Sequence, residues 1–211
     1  MVRSLLTIFL LAGGAALAAS PAAPPTSPAM AAPTREVATF AGGCFWSMQK
    51  AFEDVPGIVS TEAGYAGGTT VNPTYEEVET GSTGHAESVQ IVFDPSQVTY
   101  AQLLDRYWHH IDPLTKDRQI CDAGHQYRTA IFVHGPQQRA LAEASKKALE
   151  ASGRFHAPIA TEIVPATPFY PAEAYHQHFA KEHPIRYGEY RIGCGRDRAL
   201  KAVWGDEAPT H

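Results

Sequence analysis

Residue 35 divides this chain of 211 residues into two different materials. The first 34 residues carry one charged side chain, Arg3, followed by an apolar run over residues 5–11 and small residues ending in Ala16-Leu17-Ala18. A positive start, a short apolar stretch and an Ala-x-Ala site form the pattern of a secretory signal peptide, assigned to residues 1–19. The run is shorter than the ~20 residues a membrane-spanning helix needs, so an N-terminal anchor facing the periplasm is the lesser alternative. Residues 20–34 read SPAAPPTSPAMAAPT, ten of fifteen being Ala or Pro. Proline forbids a continuous helix and nothing there can build a core, so this stretch is an extended tether. Folding therefore falls to one domain over residues 35–207, and the export signal places it in a periplasm.

That domain is long enough to bury a core without staples. Apolar residues make up 44% of the chain and charged ones 18%, which excludes a disordered polymer. The net charge of −5 argues against a protein held on nucleic-acid phosphates. Three cysteines are too few for a disulfide scaffold and enough for redox chemistry.

Periodicity gives a coarse plan. Residues 37–40, 88–93, 129–133 and 159–164 read as strands. Phe45, Met48 and Phe52 recur at helical spacing. Thr99 is a good N-cap for a helix with Leu103, Leu104, Tyr107, Trp108 and Ile111 on one side. Pro136 opens a helix that Gly153 stops, and residues 173–180 form a short one. From Pro184 onward mostly coil is expected. The alternation of strands and helices implies a single mixed α/β or α+β domain. No coiled-coil pattern is present, and a monomer is expected.

Gly42-Gly43-Cys44-Phe45-Trp46 falls where a strand turns into a helix. Two glycines permit a tight turn and a close ligand approach to the backbone. Cys44 then sits at a helix N-terminus, a place that lowers a thiol pKa and supplies thiolate. Phe45 and Trp46 add aromatic surface suited to an apolar group such as a methyl.

Gly43-Cys44-Phe45-Trp46 resembles the active-site signature of the type-A peptide methionine sulfoxide reductases, with Ser47 where most of the family has glycine. The resemblance continues through Gly64-Tyr65-Ala66-Gly67-Gly68, Asn72-Pro73-Thr74-Tyr75, Thr83-Gly84-His85-Ala86-Glu87, Gln126-Tyr127-Arg128 and Ala174-Tyr175-His176-Gln177. It implies an α+β, two-layer domain of ferredoxin-like type, with a central mixed sheet, helices packed on it and a long coil-rich C-terminal segment. It also implies an oxidoreductase that repairs oxidised proteins by reducing the S epimer of methionine sulfoxide, with the free amino acid left open as a further substrate.

The roles follow from the same resemblance. Cys44 is the nucleophile and becomes a sulfenic acid. Glu87 is the acid, a role that a buried carboxyl with a raised pKa can fill near neutral pH. Tyr75 and Tyr127 hold the sulfoxide oxygen, and Asp122 acts through water. Phe45 and Trp46 bind the substrate. No bound cofactor is implied; the reductant is an external dithiol, in the family thioredoxin-like. The sulfenic acid condenses with a second thiol. Cys194, between Gly193 and Gly195 in a segment expected to be mobile, is the favoured resolving cysteine; Cys121, where many members carry Asn, is a possible second thiol, and a relay through both is open.

Other readings remain beside this one. Cys44 with His85 or His125 as base would make a hydrolase, and Cys44 alone a redox sensor. His109, His110, His176, His178 and His183 invite a metal, but residues two apart do not share a helix face, so no metal site is assigned.

Overall fold

The computed structural model describes residues 34–209. The expected signal peptide, 1–19, and all of the 20–34 tether except its last residue lie outside the described residues. Among the described residues no helix is long and apolar enough to cross a membrane.

The elements run β1 (Glu36–Gly42), α1 (Phe45–Phe52), β2 (Ile58–Ala66), α2 (Tyr75–Glu79), β3 (Ala86–Phe93), α3 (Tyr100–His109), β4 (Arg118–Gln119), β5 (Asp122–Ala123), β6 (Thr129–Val133), α4 (Pro136–Ala151), β7 (Glu162–Pro165), β8 (Tyr170–Pro171), α5 (Phe179–Glu182), α6 (Pro184–Cys194) and α7 (Arg196–Trp204). Strand side chains alternate between faces. Ala38 and Phe40 of β1, Val89, Ile91 and Phe93 of β3, and Ile131 and Val133 of β6 enter one core with Phe45, Met48 and Phe52 of α1 and Leu103, Leu104 and Tyr107 of α3. Ala41, Ala66, Ala86, Ala130 and Phe132 form a smaller cluster apart from it. The sheet order is β7-β6-β1-β3-β2-β8, with β6 and β7 parallel and the other pairs antiparallel. The sequence β1-α1-β2-β3-α3-β6 is the strand-helix-strand-strand-helix-strand order of a ferredoxin-like unit. The mixed α+β expectation holds.

Local signals explain several boundaries. Thr99 Oγ1 accepts from the Gln102 N–H at 3.2 Å and closes a capping box on α3. Pro136 opens α4, which ends just before Gly153.

The stretch from Pro184 departs from expectation: it forms α6 and α7 rather than coil. Their inward faces carry Arg191 and Arg196 beside Tyr187, Leu200 and Trp204, and those buried cations interrupt the apolar period by which a helix is read. Each guanidinium is buried because it is partnered. Arg191 Nη1 donates to Tyr187 Oη at 3.0 Å and Nη2 pairs with Asp197, while Arg196 Nη2 donates to the His110 carbonyl at 2.9 Å. Trp204 anchors α7: its ring is 1% exposed and its Nε1 donates to the Ile111 carbonyl at 2.8 Å. Trp204→Ala is therefore expected to cost about 3–5 kcal/mol of unfolding free energy in urea titrations. A loss under about 1 kcal/mol would mean that α7 lies outside the cooperative core.

Candidate active site

The turn from β1 into α1 builds the nucleophile's seat. Gly43 has φ +77°, and a Cβ there would lie 2.5 Å from Gln119 Cβ; one on Gly42 would lie 2.4 Å from the Met48 sulfur. The glycines thus admit these protein neighbours close to the turn. Cys44 is the N-cap residue of α1, and its carbonyl accepts from the Ser47 and Met48 N–H groups at 3.1 and 3.3 Å. Its side chain is buried. Burial pushes the thiol up, and the charges of Glu87 and Asp122 push the same way; hydrogen bonds from Tyr190 and the Trp46 N–H oppose them and lose. The expected lowering by the helix terminus is overturned: at rest Cys44 is a neutral thiol.

Glu87 enters from the start of β3, opposite Tyr65 of β2. It is 2% exposed, and its Oε2 accepts from the Phe45 N–H at 2.9 Å. Burial raises its carboxyl to about 8, against that N–H and with help from Asp122 and Glu79. A carboxyl so held is protonated near neutral pH and available as an acid.

The two tyrosines come from separate elements. Tyr75 opens α2, whose Thr74 makes a capping box with Glu77, and its N–H donates to Glu173 Oε1 at 2.8 Å. Glu173 also accepts from Tyr65 Oη at 2.8 Å, which ties the position of Tyr75 to the sheet. Tyr127 ends a 3-10 turn, His125–Tyr127. Burial raises both phenols, and both feel the charge of Glu87, so they stay protonated donors. Asp122, the first residue of β5, is half-buried; burial raises it while Tyr190 and Arg196 pull it down. Cys44, Tyr75, Glu87, Asp122 and Tyr127 thus share one electrostatic neighbourhood.

Phe45 and Trp46 form its apolar side. The Phe45 ring lies 4.9 Å from His176 and 6.5 Å from Tyr75. Trp46 stacks on Phe179 at 3.7 Å with planes 6° apart, and its Nε1 donates to His176 Nδ1 at 3.0 Å. Burial lowers His176, which stays neutral as that acceptor. Ser47, the departure from the glycine usual in the family, accepts from Tyr187 Oη at 3.3 Å and so fastens α6 to α1.

One member of the site was missed from sequence. Tyr190 of α6 donates its hydroxyl to Asp122 Oδ2 at 2.7 Å and sets its ring edge-on to Trp46 at 5.8 Å. Its only signal is a spacing of one helical turn before Cys194, which has no meaning until α6 is known to be a helix.

The family model for peptide methionine sulfoxide reductase matches residues 36–208. The chain belongs to the type-A peptide methionine sulfoxide reductases. It is 58% identical over 171 residues to the peptide methionine sulfoxide reductase MsrA of Bacillus licheniformis, covering 81% of this chain and 94% of that protein. It is 52% identical over 171 residues to the MsrA of Bacillus subtilis, covering 81% and 97%. Among solved structures it is similar to methionine sulfoxide reductase A of Corynebacterium diphtheriae, with TM-score 0.65, 39% identity and coverage of 73% and 77%. It is also similar to Mxr1 from Saccharomyces cerevisiae in reduced form, with TM-score 0.66, 31% identity and coverage of 72% and 87%. The reductase is thus an oxidoreductase acting on methionine sulfoxide.

In this reductase Cys121 and Cys194 are joined in a disulfide with Cα atoms 5.2 Å apart, and Cys44 is free. Cys194 does not lie in a mobile glycine segment: it is the last residue of α6, Gly193 is helical, and Gly195 caps the helix at φ +66°. Cys121 is exposed at the tip of the β4–β5 hairpin. The histidines go to separate partners. His178 pairs with Glu53 and His109 with Asp105 and Glu207. Both ring nitrogens of His85 are engaged by backbone, Gly68 N–H at 3.1 Å and Thr70 O at 2.8 Å, and His125 pairs with Asp117 at 2.7 Å. Neither is placed as a base for Cys44.

Proposed function

We propose that the reductase acts on the S epimer of methionine sulfoxide, first in oxidised proteins and peptides and secondarily as the free amino acid, and that thiols renew it. The observation that carries the reading is a free, buried Cys44 set against the raised carboxyl of Glu87, while the other two cysteines are bonded to each other. Glu87 gives its proton to the sulfoxide oxygen, Tyr75 and Tyr127 donate hydrogen bonds to it, and Phe45 and Trp46 receive the methyl group. The net first step is R–S(O)–CH3 plus Cys44–SH giving R–S–CH3 plus Cys44–SOH: substrate sulfur is reduced by two electrons and Cys44 oxidised by two. Cys194–SH then displaces water from Cys44–SOH to form a Cys44–Cys194 disulfide. Cys121 thiolate attacks the Cys194 sulfur, releasing Cys44 thiolate and leaving the Cys121–Cys194 bond. An external dithiol of thioredoxin type exchanges with that bond at the exposed Cys121.

The N-terminal signal pattern supports export, with the domain working as a monomer in the periplasm. A hydrolase is disfavoured by the engagement of His85 and His125 elsewhere.

The test is recycling. Cys194→Ser is expected to release about one methionine per enzyme and then stop with thioredoxin as donor, while wild type turns over continuously. Continuous turnover by Cys194→Ser at the wild-type rate would remove the relay.

A further inference from the structure

Two arginines flank the Cys121–Cys194 disulfide. Arg118 of β4 donates from Nε to the Ile120 carbonyl at 3.2 Å, which sets its guanidinium beside the residue that precedes Cys121. Arg198 of α7 lies against the other cysteine: a Cβ on Gly195, the residue after Cys194, would meet Arg198 Nη2 at 3.2 Å. Both arginines are exposed, and among the described residues neither has a carboxylate partner. They line one cavity of about 680 Å³ together with Cys121, Cys194 and Asp112. Asp112 is held in place there: its Oδ1 accepts from the Leu114 N–H at 2.9 Å, and its own N–H donates to Gln119 Oε1 at 2.8 Å. Ile120, Ala199 and Val203 give the cavity an apolar wall. A cavity of this size takes small ligands, and this one sets two cations, one anion and an apolar surface around a bond that must be opened in every cycle.

We propose that this cavity binds a small thiol peptide carrying two carboxylates and one ammonium group, and that such a thiol opens the Cys121–Cys194 bond directly. The two guanidinia present planar forks that match carboxylates, Asp112 takes the ammonium, and the apolar wall takes the methylenes between them. The charges of the occupant, two negative and one positive, are the complement of those in the cavity; a neutral dithiol would leave all three unused. The peptide thiolate attacks the exposed Cys121 sulfur, the Cys121–Cys194 bond breaks and Cys194 leaves as thiolate. A second peptide thiolate attacks the peptide sulfur of the mixed disulfide, giving the peptide disulfide and Cys121 thiolate. The protein disulfide gains two electrons, each of two peptide thiols loses one, and the protons those thiols shed return on the two cysteines. Cations beside the bond favour both the incoming and the departing thiolate. The proposal rests on the reading that thiols renew the reductase and names a class of thiol for that step.

The test uses the full chain with the Cys121–Cys194 bond formed and no sulfoxide present. Opening of the bond is followed by mass, as the mixed disulfide and then the free thiols, with excess glutathione or with its diethyl ester, in which both carboxylates are blocked. Rates are compared per thiolate, since the two peptides ionise differently. Glutathione is expected to react about tenfold faster than the diester at low salt, the scale of two exposed charge pairs, and salt should shrink that advantage. In the double variant Arg118→Gln, Arg198→Gln the ratio of the two rates should fall to about one. The ratio is the readout because loss of nearby cations slows every thiolate alike, whereas only a carboxylate site tells acid from ester. A ratio near one in wild type, or a tenfold ratio that survives in the double variant, overturns the proposal. So does a double variant that is slowed with thioredoxin while its glutathione ratio is unchanged, since the arginines would then serve a protein surface. Failure of dithiothreitol to restore sulfoxide turnover would instead overturn renewal by thiols, and the role of the cavity with it, whatever the ratio.

Discussion

Cys44→Ser is expected to abolish sulfoxide reduction, by roughly 10^4-fold or more, whatever thiol is supplied. The reason is more than the loss of a good nucleophile. A serine hydroxyl has no accessible oxidised state corresponding to a sulfenic acid, so the substrate oxygen has nowhere to go and the electron pair no donor. The fold should not suffer: the cap of α1 is made by the backbone carbonyl at position 44, with no side-chain cap to lose. Methionine release in a single-turnover assay, with a thermal melt beside it, separates the two. Single-turnover activity above a few per cent of wild type would mean that Cys121 or Cys194 can act first, the opposite of what is expected of two cysteines that are bonded to each other.

Glu87→Gln should give the next largest effect, a slowing of about 10^2–10^4-fold at neutral pH, the usual scale of general acid catalysis. A carboxamide oxygen can still accept from the Phe45 N–H, so the start of α1 stays in place and the proton alone is lost. The sign of the pH effect follows from the direction of the shift. Glu87 is raised from 4.5 to about 8, so it remains an acid below about 8 and loses its proton above it. Wild-type single-turnover rates should therefore hold from weakly acidic pH to about 8 and fall beyond it. In Glu87→Gln that alkaline fall should vanish. A variant that keeps the same limb, or the wild-type rate at neutral pH, would remove Glu87 as the acid.

The parts of this molecule that could be read from its sequence are those whose determinants are local. The strand at residues 129–133, the N-cap at Thr99 and the Pro136 start of α4 are each set by a few neighbouring side chains, and all appear where they were expected. Cys44 stood out by the glycines and aromatics around it, Glu87 only through the resemblance of its block to the family, and the sheet sets β3 directly beside β1. What escaped depends on distant partners. The inward faces of α6 and α7 look polar until Arg191 and Arg196 are seen to be paired. The hairpin that carries Cys121 and Asp122 turns through Ile120 at φ +57°, a place where Gly or Asn would have announced the turn. Without that hairpin and α6, neither the Cys121–Cys194 pairing nor the contact of Tyr190 with Asp122 has a trace in the chain. The thiol was misjudged for a related reason: a helix terminus favours thiolate only as far as burial allows, and burial is decided by residues far away in sequence.

The bond between α6 and the hairpin joins residues 73 apart. In the chain-entropy account, a cross-link closing a loop of that length restricts the unfolded polymer enough to favour the folded form by about 4 kcal/mol. That is a sizeable fraction of the stability of an ordinary domain. Each round of repair therefore also moves the enzyme between a cross-linked and an open polymer. It resists unfolding best while waiting for electrons, and least once they have arrived and it is ready to act.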